Sequence, residues 1–411
     1  MKFAQIALRN LARNRRRTAL SLLLIAAGSV ALLLTAGFIR YSFNGLREAI
    51  VHGGLGHLEV APAQDLQASP LERSTFPSFA EWEQTRAQIE SVPHVLAAEG
   101  AIRLTGLVSR GDRTVAVMGL GVEPERERRM AFEVKLRAGS YLPETAPAEG
   151  EDVVVLGLGL ARALGAQPGD LVTFTALTAD STLNAYDMTV VGLISTGVQD
   201  LDARFLKTHL TSAQRLLGTG SVSSLLIGLD DTARTQELAA LVRARIAGGG
   251  QALAVADWES RATFYGQVKA LYSGIFWFLG GIVFVLVCLA TSNTLLMTIL
   301  ERVREIGTLL ALGTSRGQVA AIVILEALWL GLMGAVLGDV LGFGLASAIN
   351  AAHVKMPPPP GAASGIDLGL VLAPSDFVLV GGLMLVVLSL AAALPVLRAV
   401  RLRIVEALGH V

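Results

Sequence analysis

The chain has 411 residues, 52% hydrophobic and only 17% charged, with 34 basic and 34 acidic side chains. That is too apolar for a soluble globular protein of this length, and the mildly acidic region 40–270 excludes nucleic acid as a partner. The lone cysteine, Cys288, lies in an apolar run; it forms no intramolecular disulfide and reads as a small buried hydrophobe.

In chain order, residues 1–17 place Lys2, Arg9, Arg13 and Arg16 on one helical face and Phe3, Ile6, Ala7 and Leu11 on another. This predicts an amphipathic helix on the cytoplasmic leaflet. Residues 18–40 carry no charge before Arg40 and form the first span, too long for the core of a signal peptide and so an uncleaved anchor. Residues 41–270 alternate strand-like and helix-like runs. Strands are expected at His57–Ala61, Thr114–Leu120, Asp152–Leu156, Met188–Ile194 and Ser224–Leu229. Helices are expected at Ser78–Ser91, with Ser78 and Glu81 as a capping box, at Gly159–Leu164 and at Thr232–Ile246. Turns fall at Pro168-Gly169 and at residues 248–250.

The second span covers 271–300. No proline occurs between Pro168 and Pro357, so its helix is expected to begin near Arg261 and enter the bilayer unbroken, as a rigid rod; an ordinary tilted span is the alternative. A cytoplasmic segment, 301–318, leads to the third span, 319–349. The loop 350–375 holds the stiff run MPPPPG at 356–361, a spacer or a partner contact. The fourth span is 376–397 and the tail 398–411. Arginine is concentrated before the first span, in 301–318 and after the fourth, which places both termini in the cytoplasm. The expected fold is a membrane protein of four transmembrane α-helices, with a large α+β extracytoplasmic (periplasmic) domain inserted between the first and second.

Several motifs fail. None of the five lysines follows a glycine, so no P-loop exists. Gly157-Leu158-Gly159 resembles the start of a dinucleotide fingerprint, but Arg162 stands where its third glycine belongs. Gly313-Thr314-Ser315-Arg316-Gly317 has the nucleophile-elbow spacing without a preceding strand, and reads as a helix-ending turn. The six histidines form no ligand cluster. No catalytic residue, metal ligand or cofactor site is expected.

Polar groups inside the spans are Asn293, Glu326 and Asp339. Glu326 lies near the cytoplasmic end and suits an anchoring role. Asp339 is about 20 Å further along the helix, where it hydrogen-bonds a neighbouring helix or lines a cleft. Gly334, Gly338 and Gly342 form a small-residue stripe for close packing.

The stretch after the second span carries the functional signal. Glu301, Arg302, Arg304 and Glu305 form a dense charge cluster. Ile306, Leu309 and Leu310 follow as an apolar ridge bracketed by Gly307 and Gly313, and such a ridge needs a protein partner or the membrane to cover it. This run, E-R-x-R-E-I-G-x-L-x-A-x-G, resembles the signature of the MacB/FtsX/LolC-LolE permeases, the type VII ABC family. Glu301, Arg302, Arg304, Glu305, Ile306, Gly307, Leu309, Ala311 and Gly313 match it. Leu8-Arg9-Asn10-Leu11, Gly159–Val172, Leu325-Glu326-Ala327, Pro395 with Arg398, and Val405–Leu408 are similar to other parts of the family pattern. Arg403-Ile404 departs from its usual Asp-Pro.

The resemblance implies a non-catalytic permease of the bacterial inner membrane whose coupling segment docks on a separate cytoplasmic ABC ATPase dimer. That partner holds the ATP and Mg2+. It also implies a second permease, either another copy or a homologous chain, contact with membrane lipid, and a periplasmic carrier, adaptor or hydrolase. Without a fused ATPase, lipoprotein or lipid extraction is the expected role. The alternatives are MacB-like efflux of peptides or amphiphiles and FtsX-like regulation of cell-wall hydrolases.

Overall fold

Apolar runs longer than a bilayer core form helices here, because a helix satisfies its own backbone polar groups. The computed structural model describes residues 7, 9, 13, 15–67, 76–132, 135–178, 180–196, 199–248, 251–356 and 366–401. The helix expected over 1–17, the proline run at 357–360, the glycines at 249–250 and the closing 405–408 fall largely or wholly outside these residues. The chain divides into two compact units: Met1–Asn44 with Gln267–Lys355 and Asp367–Val411, and Gly45–Gly266 with Met356–Ile366.

In the first unit, α1 (Arg15–Ile50), α2 (Thr263–Glu301), α3 (Val303–Ala311), α4 (Arg316–Ala351), α5 (Pro374–Ala391) and α6 (Ala393–Arg401) follow in order. Among the described residues, four stretches are long and apolar enough to cross a membrane: Thr18–Leu55, Tyr265–Glu301, Arg316–Ala351 and Pro374–Val400. The α5–α6 break lies at Ala392, where Pro395 removes the N–H that would bond Ala391. The glycine stripe seats α4 on α1 within this one chain. A Cβ at Gly334 would lie 2.5 Å from Ile25, at Gly338 2.4 Å from Ser29, and at Gly342 2.7 Å from Leu33. At the far end Arg40 grips Asp376 with two bonds, Nη2 to Oδ1 at 2.5 Å and Nε to Oδ2 at 3.1 Å. The Asn350 side chain donates to the Leu370 carbonyl and accepts from its N–H, both at 2.9 Å. The face of α2 bearing Trp277, Phe278, Leu286 and Leu289 is left exposed.

The second unit is built on β1 (Leu58–Pro62), β2 (Val95–Arg110), β3 (Arg113–Val122), β4 (Lys135–Gly139), β5 (Val153–Gly157), β6 (Leu171–Leu177), β7 (Leu183–Ser195), β8 (Phe205–His209), β9 (Ser224–Leu229) and β10 (Leu253–Asp257). Among the described residues they join in one sheet of order β10-β1-β9-β2-β3-β8-β5-β7-β4, with β6 against β2 and β7. Strand β2 is shared: residues 95–101 pair with β9, and 102–110 with β3. Helices Trp82–Glu90, Leu158–Leu164, Leu210–Leu217 and Thr235–Ile246 accompany a core that includes Phe79, Phe174, Ile102, Leu156 and Leu238.

One expectation changes. The helix expected from Ser78 begins at Trp82, and no capping box forms. The Ser78 hydroxyl instead donates to Asp65 at 3.2 Å, and Glu81 makes no side-chain cap. The second-span helix begins near Arg261, as expected. A short helix, Trp258–Arg261, capped by Asp257, ends at Ala262 (φ −86°, ψ 67°), and α2 then runs unbroken from Thr263 to Glu301.

His57 sits inside this sheet unit. Its Nδ1 accepts from the Leu229 N–H at 3.1 Å, and Nε2 is 3.0 Å from the Thr232 hydroxyl. Burial, reinforced by neighbouring His52, lowers its pKa from 6.5 to about 4. The native state therefore resists a proton that the unfolded chain accepts. Stability is full above pH ~6.5 and is lost as pH falls towards ~4, by up to about 3 kcal/mol. Thermal unfolding of the chain in detergent, followed across this range, should show the loss, and His57→Gln should abolish that component.

Candidate functional site

The coupling segment is a nine-residue helix held between two breaks. Helix α2 stops at Glu301, and Arg302 leaves helical geometry (φ −108°, ψ 16°). After Ala311 the chain turns at Gly313, whose φ of +92° suits only glycine comfortably. Ser315 then caps α4 in a reciprocal capping box with Gln318. The elbow-like Gly-Thr-Ser-Arg-Gly sequence is thus a turn between helices.

The two faces of α3 differ. Val303, Ile306 and Gly307 are buried, and Ile306 clusters with Ile299, Val319, Val323 and Ala399, with Leu310 packed beside them. Arg304, Thr308, Leu309, Ala311 and Leu312 are exposed, Leu312 at 79%. The expected ridge is therefore corrected: Ile306 and part of Leu310 face inward, and the open apolar pair is Leu309 with Leu312. The i, i+3 spacing of that pair was present in the sequence; which face would be covered was not.

Arg302 is the hub of an ion network. Its Nε meets Glu305 Oε2 at 2.9 Å, and its Nη1 meets Glu326 Oε1 at 3.1 Å. Glu305 Oε1 also takes Arg13 Nη2 at 2.8 Å. Arg302, then Arg13, hold the Glu305 carboxyl below the usual carboxylate range. Glu326 is 4% exposed, so it is a buried partner of Arg302 rather than an anchor at the interface. Asn293 is exposed on α2. Asp339 is half-buried, and its Oδ1 finds no hydrogen-bond partner among the described residues. Neither residue joins the Arg302 network.

A cleft of about 260 Å3 in the sheet unit is lined by Glu48, His52, Lys135, Ser195, Phe205 and Lys207, among others. Several of its polar groups are already paired. Lys207 pairs with Glu127 at 2.6 Å, Tyr141 donates to Glu127, and His52 meets Glu48 at 3.0 Å. Nearby Glu99 is fully enclosed; burial first, and Glu127 second, push its carboxyl well up. No group of three metal-ligating side chains occurs among the described residues.

Two family models match. The MacB-like periplasmic core domain covers residues 18–245, and the FtsX-like permease C-terminal covers 277–404, including α3. The chain is 26% identical over 348 residues to the lipoprotein-releasing system transmembrane protein LolC of Neisseria meningitidis serogroup B, spanning 82% of this chain and 80% of that one. It is 23% identical over 299 residues to the corresponding LolE protein of Haemophilus influenzae, spanning 70% and 69%. The crystal structure of the periplasmic region of MacB from Actinobacillus actinomycetemcomitans aligns at 15% identity and a TM-score of 0.37, over 53% of this chain and 95% of that one. With four membrane-crossing helices and a MacB-like α+β periplasmic domain between the first two, this chain belongs to the MacB/FtsX family of ABC transporter permeases.

Proposed function

We propose that this chain is the permease subunit of an inner-membrane ABC transporter that extracts or releases lipoproteins or lipids, driven by a separate cytoplasmic ATPase dimer. The observation that carries this reading is the extent of the LolC likeness, which runs through periplasmic domain and spans alike. ATP and Mg2+ belong to the partner, since none of this sequence's lysines lies in a Gly-Lys-Ser/Thr motif. The chain's own part is to carry movement from α3 through α2 to the periplasmic domain. It works beside a second permease, a copy or a homologue. Arginines at 13, 302, 304, 316, 398 and 401 support cytoplasmic termini.

In this reading the exposed face of α3, with Arg304, Leu309, Ala311 and Leu312, meets the ATPase. Arg302, Glu305, Ile306, Gly307 and Leu310 aim that face, and Glu301 and Gly313 close its two ends. A second reading, efflux of peptides or amphiphiles from the periplasm, draws support from the MacB-like core. Reconstitution separates them: ATP-dependent transfer of a triacylated lipoprotein to a soluble carrier supports release, and its absence alongside expulsion of a macrolide supports efflux.

Three outcomes follow. The purified chain alone should hydrolyse no ATP, with turnover appearing only when the ATPase chain is added; turnover by the isolated chain would overturn the assignment of catalysis to the partner. Leu309→Asp with Leu312→Asp should weaken ATPase capture by roughly 30-fold or more while leaving the unfolding midpoint unchanged; undiminished capture would remove α3 from the interface. Arg302→Gln should act differently, by removing a cation from the buried Glu326 carboxylate. It should destabilise the membrane unit by about 3 kcal/mol, and adding Glu326→Gln should recover part of the loss in a double-mutant cycle.

A further inference from the structure

The chain enters the sheet unit after the first span and leaves it before the second, and both passages are made on neighbouring strands. Strand β1 begins at Leu58, eight residues after α1 ends at Ile50, and β10 ends at Asp257, just before the short helix that leads to α2. The two strands pair antiparallel with Leu58 opposite Asp257 and Glu59 opposite Ala256. Start and end therefore lie side by side at one end of the sheet.

One side chain ties these passages together. Arg261 is the last residue of the short helix before the break at Ala262. Its Nε lies 2.6 Å from Glu59 Oε2, and its Nη1 donates to the Leu55 carbonyl at 3.0 Å. Leu55 belongs to the entering passage and Glu59 to β1, whereas Arg261 belongs to the leaving one. The contact is enclosed: the Glu59 side chain is 0% exposed and that of Arg261 15%. Arg103, from β2, reaches the other Glu59 oxygen at 3.2 Å. Around the clasp, the Trp258 N–H bonds the His57 carbonyl at 3.0 Å, and the Trp258 and Tyr265 rings meet edge to face at 4.8 Å.

A break in a helix is a natural hinge, and Ala262 is such a break. Motion arriving along α2 would be absorbed there unless the residue before it were fixed. A guanidinium paired with a buried carboxylate and hydrogen-bonded to a backbone carbonyl holds that residue in place. We propose that Arg261 is a positioning residue for transmission: it clasps the entering and leaving passages so that movement in either turns the whole sheet unit. The proposal rests on the mechanical reading of the chain's function given above.

The test uses the full chain with its ATPase in lipid nanodiscs. Spin labels are placed at Asp112→Cys and Ala352→Cys in a Cys288→Ser background, and their separation is measured with and without ATP and vanadate. The parent should show a nucleotide-driven change in distance. In Arg261→Gln the shifted population should fall by roughly tenfold or more, with ATPase capture and basal ATP hydrolysis retained. Arg261→Lys, which keeps the charge on Glu59, should restore part of the shift. Arg103→Gln removes Glu59's other cation without touching either passage, and should lower the unfolding midpoint while leaving the shift intact. A full shift in Arg261→Gln overturns the clasp. So does an equal loss of shift in Arg103→Gln, which would make the network merely structural. Should Arg261→Gln fail to fold, the Lys and Arg103 variants decide by the same criteria. A parent with no nucleotide-driven change overturns the mechanical reading itself, and the clasp with it.

Discussion

Hydrocarbon supplies no hydrogen-bond partner, and that constraint arranges the backbone of the membrane unit. Each crossing is a helix, and the backbone breaks fall at Ala262, Arg302, Gly313 and Ala392. Two of these breaks have a local cause. Gly313 turns at positive φ, Ser315 then captures the free N–H groups of α4, and Pro395 opens the helix at Ala392. Arg302 sits at its break with a guanidinium engaged by two carboxylates. The breaks at Arg302 and Gly313 fall beyond the end of the second span, where the charged motif of the family is found, whereas that at Ala392 lies within the fourth.

The spans were legible because twenty apolar residues in a row have few other uses. Strands such as β5 and β9 were legible for a similar reason, being short apolar runs bounded by turns or charges. The 16-residue β2 was missed. It carries Glu99, Gly100, Arg103 and Gly106, which interrupt the apolar pattern of a strand, and Glu123, Trp82 and Thr175 are brought against it from elsewhere. The Ser78 capping box was a sound local inference that lost to Asp65, 13 residues upstream, for the same hydroxyl.

The coupling segment shows the same division between local and distant information. Its motif identified the segment and its charges. It did not reveal that Ile306 is covered, because the covering residues Val319, Val323 and Ala399 come from α4 and α6. Nor did it reveal Arg13, read as part of the basic face of an interfacial helix and as a topology signal, as a partner of Glu305. Residues matching a family pattern therefore divide into those that aim the helix and those it presents, and only packing separates the two groups.

The glycine seam has a consequence for assembly. Gly334, Gly338 and Gly342 are already filled by Ile25, Ser29 and Leu33 of the same chain. A groove so occupied is closed to a neighbour, so the tight, small-residue mode of helix pairing is not on offer along that face. Any helix approaching from outside along α2 meets Trp277, Phe278, Leu286 and Leu289 instead. Bulky side chains hold backbones about 8–10 Å apart, leaving a loose and greasy boundary that can slide or part without breaking a single hydrogen bond.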